Sequence, residues 1–125
     1  MKYYRPEQGS FADPPSRPNW VSSQTASAAN RMDPLPFHGT ADRALAGLLD
    51  VVRQLPRTSV VEQTGDSLHV ECRSRLFGFV DDVEFVVDPE NAVIHFCSAA
   101  RSGWSDLGVN HRRMLHIREL FGDMN

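Results

Sequence analysis

Prolines divide this chain into two unlike parts, and this division constrains the fold more than any other feature. Six of the eight prolines lie before residue 37, among serine, asparagine and glutamine residues. Proline lacks the backbone N–H and fixes φ, so such a region disfavours helices and central strands. Aromatic residues are nevertheless spaced through it, which a fully solvated tail would not need. They are Tyr3, Tyr4, Phe11 and Trp20. We therefore predict a Pro-rich extended arm over residues 1–36, partly packed on a single domain over residues 37–125. Disorder up to about residue 15 is the competing interpretation.

The first regular element after the arm is a helix. Thr40 is a favourable N-cap, and apolar residues follow it at three- and four-residue spacing as far as Leu55. Pro56 ends the pattern, because the residue before a proline is biased away from helical geometry.

Four segments with alternating polar and apolar residues follow, separated by short turns. Alternation of this kind predicts an antiparallel meander with one wet face and one face covered by helices. The predicted strands are Thr58–Gln63, Ser67–Arg73, Val80–Val87 and Ala92–Cys97.

A second helix is predicted from Ser105 or Asp106 to Phe121, with Gly122 as the glycine that follows its C-terminus. The predicted fold class is therefore α+β. It has a four-stranded antiparallel meander sheet and two helices on one face, in the order α-β-β-β-β-α, preceded by the Pro-rich extended arm.

Composition limits the classes of partner. A formal charge of −3 gives no global electrostatic case for nucleic acid or an anionic membrane, so neither partner is expected. No apolar run has the length of a signal peptide or a membrane span. Two cysteines are too few for a disulfide scaffold or a cysteine-rich zinc site. We expect a cytoplasmic protein with reduced thiols, no cofactor and no metal site.

Charged and amide side chains are concentrated where strands meet the last helix. Such groups beside apolar positions need partners, so they form either a structural network or a clamp for a carboxylate or phosphate. Asp81 and Asp82 point to opposite faces of a strand and make a poor acid/base pair. Asp106 is expected to cap the helix, and an anion site there is the alternative. The candidate ligand-binding residues are Arg75, Asp81, Asp82, Arg101, Asp106, Asn110 and Arg113.

No catalytic motif accompanies these residues, and whether the chain is an enzyme is left open. The first hypothesis is a non-catalytic binding or interaction module whose partner is a small anionic ligand or a protein. The alternative is a small hydrolase or isomerase acting on an anionic metabolite, with Arg101 and Arg113 holding the anion and Asp81 or Asp82 as base. That alternative requires a cavity of a few hundred Å³, on the order of an ordinary ligand site, and a carboxylate with a raised pKa. Oligomeric state is not predicted.

Four sequence blocks resemble an uncharacterised protein family, the domain of unknown function 1499. The blocks are PNWVSS, PLPF, GFVDDVEF and SAARSGWSDLGVN, and the resemblance covers about residue 18 onward. This chain departs from the family pattern at Trp20, Cys97, Ala100 and His111. A role that depends on the family's cysteine or first arginine would be missing here. The resemblance implies no established activity. The residues that match are Asn19, Ser22, Asp81, Asp82, Ser98, Arg101, Asp106, Gly108, Asn110 and Arg113.

Overall fold

A computed structural model describes residues 1–15, 19–75, 78–101 and 108–124. Its elements within these ranges are, in chain order, β1 (Tyr4–Arg5), β2 (Ser10–Phe11), β3 (Trp20–Ser22), β4 (Leu35–Pro36), α1 (Ala41–Gln54), β5 (Thr58–Gln63), β6 (Ser67–Arg73), β7 (Val80–Asp88), β8 (Val93–Ala100) and α2 (Val109–Met124). The α+β class is confirmed, with an antiparallel sheet and two helices.

The main sheet has six strands rather than the four predicted. Strands β5 to β8 form the predicted meander, each antiparallel to the next. The two additional strands, β3 and β4, come from the Pro-rich region. Each pairs with a different stretch of β8. Without them β8 would be an edge strand with unpaired backbone groups. The sheet order is β3-β8-β7-β6-β5, with β4 beside β8.

Helix α1 begins and ends where the sequence predicts. The Thr40 hydroxyl accepts the backbone N–H of Arg43 at 3.2 Å, as an N-cap should. The helix ends at Gln54, and Leu55 takes extended geometry with ψ of 136° before Pro56. The buried face of α1 carries Ala44, Leu45, Leu48, Val51 and Val52.

Helix α2 differs from its prediction at both ends. It begins at Val109, after Gly108 at a φ of +81°, and the predicted start at Ser105 or Asp106 lies outside the described residues. The prediction that Gly122 follows the helix is wrong, since the helix continues to Met124. Glycine costs helix stability but does not end a helix by itself.

The two faces of the sheet are both covered. The inner face packs on α1 and α2 through Leu68, Val70, Phe85, Ile94 and Phe96. The outer face, which carries His69, Asp82 and Glu84, was predicted to be wet. These three residues are buried instead, as is Cys97 on the same face, because residues 1–11 lie across them. Among the described residues, neither helix is long and apolar enough to cross a bilayer.

Candidate functional site

The sheet separates the predicted site residues into two clusters. Asp81 and Asp82 are neighbours in β7 and pair with Ala100 and Ala99 of β8, so their side chains leave opposite faces. Asp81 belongs to an inner cluster, and Asp82 belongs to an outer cluster. The seven candidates therefore do not form one patch.

The inner cluster links α2 to the sheet. Arg113 donates from Nη2 to Asp81 Oδ2 at 2.7 Å and from Nη1 to Asn110 Oδ1 at 2.7 Å. The Ser98 hydroxyl donates to the same Asn110 oxygen at 2.6 Å. Asn110 Nδ2 then donates to the backbone carbonyl of Asn19 at 2.9 Å. Because Asn110 and Ser98 are almost fully buried, these bonds hold α2, β7, β8 and the start of β3 together.

The outer cluster is centred on Asp82, whose side chain is fully buried. Arg101 binds it in a bidentate pair, from Nε to Oδ2 at 2.8 Å and from Nη2 to Oδ1 at 2.9 Å. Lys2 Nζ lies 3.2 Å from Oδ2, and His69 Nε2 lies 2.9 Å from Oδ1. Burial by itself raises the pKa of Asp82, but hydrogen bonds from His69, Arg101 and Lys2 outweigh it and hold this pKa well below the ordinary value.

Glu84 is the residue of this face whose role the sequence did not predict. Its fully buried carboxylate accepts the backbone N–H groups of Lys2 at 2.8 Å, Tyr3 at 3.0 Å and Tyr4 at 3.2 Å. Three consecutive donors fix the N-terminal segment on the outer face without regard to its side chains. The available signal was a carboxylate between Val83 and Phe85, on the face of the strand that alternation predicts to be wet.

Cations collect at one end of the outer face. The backbone N–H of Arg73 donates to the Arg57 carbonyl at 3.0 Å, and Arg73 is the antiparallel partner of Val80. On the other side of Val80, its carbonyl accepts the N–H of Arg101 at 3.0 Å. These positions form one row across β5, β6, β7 and β8. Arg75 lies exposed in the loop after β6, beside the end of that row. Asp106 lies outside the described residues.

We call this region the cationic end and define it by Lys2, Arg57, Arg73, Arg75 and Arg101. Its acidic partners are Asp82 and Glu71, and Glu71 forms ion pairs with Arg101 and Arg73. Among the described residues, these five cations and two carboxylates sum to a charge of +3, whereas the whole chain carries −3. Excess positive charge is therefore concentrated there.

Two cavities flank residues 1–11 at the opposite end of the sheet. One, of about 410 Å³, is lined by residues of the β7–β8 turn and by Tyr4, Gly9, Gln24 and His95. The other, of about 600 Å³, lies by the β5–β6 turn and is lined in part by Glu62, Asp66 and Ser67. None of the described candidate residues lines either cavity.

Ser23, His95 and Asp88 form a chain of hydrogen bonds beside the smaller cavity. The Ser23 hydroxyl lies 3.2 Å from His95 Nδ1, and His95 Nε2 lies 3.2 Å from Asp88 Oδ2. A hydroxyl, an imidazole and a carboxylate follow one another in the same order in enzymes whose nucleophile is activated by a base. The Ser23 hydroxyl also accepts the backbone N–H of Phe96 at 2.9 Å, and Ser23 does not line the cavity. These contacts are those of a side chain that extends the pairing of β3 with β8.

The cysteines and potential metal ligands are placed as structural residues. Cys72 and Cys97 are both buried and free, on the inner and outer faces respectively. Burial, followed by the charges of Glu84 and Asp13, raises the pKa of Cys97. Within the described ranges, no three His, Cys, Asp or Glu side chains converge as a metal site would require.

The features above define an antiparallel α+β protein whose sheet carries paired arginines and carboxylates on both faces. The profile of one family, described as a protein of unknown function (DUF1499), matches residues 10–121. The chain belongs to this family, and the resemblance of its four sequence blocks is thereby confirmed. Among curated proteins no match was found.

Proposed function

We propose that the protein is a non-catalytic binding module that takes an anionic group at the cationic end. The observation that carries this proposal is the row across four strands that holds Arg57, Arg73 and Arg101, at an end of the sheet where the described cations outnumber the carboxylates. The side chains of Arg73 and Arg101 keep 53% and 36% of their surface exposed, so their remaining donors face solvent. Guanidinium groups in this arrangement suit carboxylate or phosphate oxygens.

The inner cluster has a different role in this proposal. Asp81, Asn110 and Arg113 satisfy one another and have little exposure. A ligand that took Arg113 would remove its ion pair from the Asp81 carboxylate in a poorly solvated place, which is costly. We assign these three residues to the architecture and keep Arg75 and Arg101 as ligand contacts.

Binding is favoured over the alternative of a hydrolase or isomerase. A general base needs a pKa near the working pH, and the pKa of Asp82 is shifted the other way. The alternative also needs a cavity beside the carboxylate. The two cavities described near residues 1–11 do not supply it, because they lie at the far end of the sheet from Asp82.

Thermal denaturation in the presence of tripolyphosphate tests the proposal. A probe at 100 times its Kd adds about 2.7 kcal/mol to the free energy of unfolding, which raises Tm visibly. We expect this increase in wild type and a smaller one in the double variant Arg73→Gln/Arg75→Gln. Arg53→Gln, an exposed arginine in the last turn of α1, is the matched control.

Sodium chloride at the same ionic strength separates binding from general screening. An equal Tm increase in wild type and the double variant would contradict the proposal, as would the absence of any increase in wild type. Arg101→Ala is unsuitable here, because it also removes the bidentate partner of buried Asp82.

A further inference from the structure

We propose that the partner of the cationic end is a short acidic segment of another protein, extended and carrying one apolar residue. This inference rests on the anion-binding function proposed above and names the chemical class of the partner. Four features support a partner of this class: the span of the cation row, its arginine side chains, the negative charge of the rest of the chain, and the exposure of Phe79.

The row is too wide for one small anion. Arg57, Arg73 and Arg101 lie on β5, β6 and β8 or directly beside them, across three strand spacings. Adjacent strands are about 4.8 Å apart, so the row spans roughly 14 Å. An extended peptide advances about 3.4 Å per residue, so carboxylates on its first, third and fifth residues cover the same distance.

The chemistry of the row favours carboxylates. Arginine binds a carboxylate through two parallel N–H donors, and Arg101 already binds Asp82 in this way on the same surface. The remainder of the chain is acidic, since the cationic end carries +3 and the whole chain carries −3. A long polyanion such as DNA, or an acidic bilayer, would extend beyond the row and meet that negative remainder within a Debye length of about 8 Å. A short acidic segment would cover the row without reaching the negatively charged remainder of the chain.

Phe79 supplies an apolar contact at the same end. Its side chain is 53% exposed, although it is a large hydrophobic residue. The loop holds it in place, because the backbone N–H of Phe79 donates to the Ser74 hydroxyl at 2.9 Å and its carbonyl accepts the Ser74 N–H at 2.8 Å. An exposed aromatic residue that follows Arg75 in the same loop suits an anchor residue of a protein interface.

Fluorescence anisotropy with a labelled eight-residue peptide of Asp and Glu with one central Leu tests this inference. Arg73→Gln and Arg75→Gln should each weaken binding about two- to five-fold, the range of exposed ion pairs. Phe79→Ala should weaken it about five-fold or more. Arg53→Gln should bind as wild type does, and added salt should weaken binding in all of them.

A single-stranded DNA oligonucleotide and phosphatidylserine vesicles are run as competing probes. Binding of tripolyphosphate without binding of the peptide would overturn this inference and leave the proposed function standing. Tighter binding to DNA or vesicles than to the peptide would overturn it too, and would assign the end to that polyanion. No binding of any anion would overturn both proposals. An unchanged affinity in Phe79→Ala would contradict the apolar contact.

Discussion

The backbone N–H of Tyr3 donates to the carboxylate of Glu84 at 3.0 Å, although the two residues are 81 positions apart in the sequence. Together with the N–H groups of Lys2 and Tyr4, this contact fixes the N-terminal segment across the outer face. The segment then buries Cys97 and Val86 beneath Tyr3, Tyr4 and Phe11. A face of the sheet that alternation alone would leave in water becomes a second core.

Replacing Glu84 with glutamine should release the N-terminal segment. The amide directs an N–H₂ group at donors and carries no charge, so hydrogen bonds worth about 1.5–3 kcal/mol each are weakened. We expect the free energy of unfolding to fall by about 3 kcal/mol, measured by urea denaturation. Cys97 should then react with a thiol reagent before Cys72, which stays under the helices. Glu119→Gln, at an exposed position of α2, is the control. Equal protection of Cys97 in wild type and Glu84→Gln would contradict the role given to Glu84.

Tyr3 provides a spectroscopic measure of the same docking. Burial, followed by the charge of Asp82, raises the pKa of Tyr3 from 10.0 to about 12. The folded state therefore gains stability from Tyr3 below pH 10, and this gain is lost as the pH rises from 10 towards 12. Tyrosinate absorbance should show one component near pH 12 in wild type. That component should be absent in Tyr3→Phe and should move towards pH 10 in Glu84→Gln. A titration with both tyrosines ionising near pH 10 would show that the segment is not docked.

The lowered pKa of Asp82 predicts how the free energy of unfolding depends on pH in the acid range. Its pKa is held below the ordinary value of 3.8, so its ion pairs contribute fully above that pH, and the contribution is lost as the pH falls further. At pH 7 we expect Asp82→Asn to lower the free energy of unfolding by about 2–4 kcal/mol, because it removes the buried carboxylate that pairs with Arg101 and Lys2. Urea midpoints at pH 7 and pH 3 should show the two proteins converging in acid. Asp50→Asn, at an exposed position of α1, should parallel wild type. A constant difference between Asp82→Asn and wild type at both pH values would contradict the shift.

Substitutions at Asn110 and Arg75 should differ in their effect on stability, because Asn110 belongs to the buried inner cluster and Arg75 to the exposed cationic end. Asn110→Ala removes the acceptor to which the Ser98 hydroxyl and Arg113 Nη1 donate in a buried place. It also removes one of the donors to the Asn19 carbonyl, which keeps the N–H of Ala100. We expect a loss of about 2 kcal/mol in the free energy of unfolding, which corresponds to a Tm decrease of roughly 8 °C for a domain of this size. Arg75→Gln, on the exposed loop, should stay within about 0.5 kcal/mol of wild type. Comparable losses in the two variants would mean that the division between the clusters is wrong.

The sequence predicts those parts of the fold that local patterns specify. Helix α1 follows from Thr40, its apolar spacing and Pro56, and the meander follows from alternation and short turns. Strands β3 and β4 have three and two residues, too few for a period to appear. Their existence depends on pairing with β8, which is a property of the whole sheet and not of residues 20–36.

The alternation of polar and apolar residues indicates which face of a strand is polar, but it does not indicate whether that face is exposed to solvent. His69, Asp82 and Glu84 have the pattern of a wet face, yet a segment from the other end of the sequence covers them. The same limit applies to the candidate site. The sequence placed Arg101 and Asp82 together with Arg113 and Asp81 as one group of charges. The opposite directions of Asp81 and Asp82, which the sequence did indicate, are what divides that group in the structure.

The contact of Glu84 with residues 2–4 also sets an order of events during synthesis. Lys2, Tyr3 and Tyr4 leave the ribosome before their acceptor, which is made about 80 residues later. These three residues therefore dock only after Glu84 has been made and β7 has joined its neighbours. Until then the outer face, including Cys97 and Val86, stays open to solvent and to other chains. A nascent or partly folded protein would be most vulnerable to aggregation and to thiol oxidation at this face, which the finished molecule conceals.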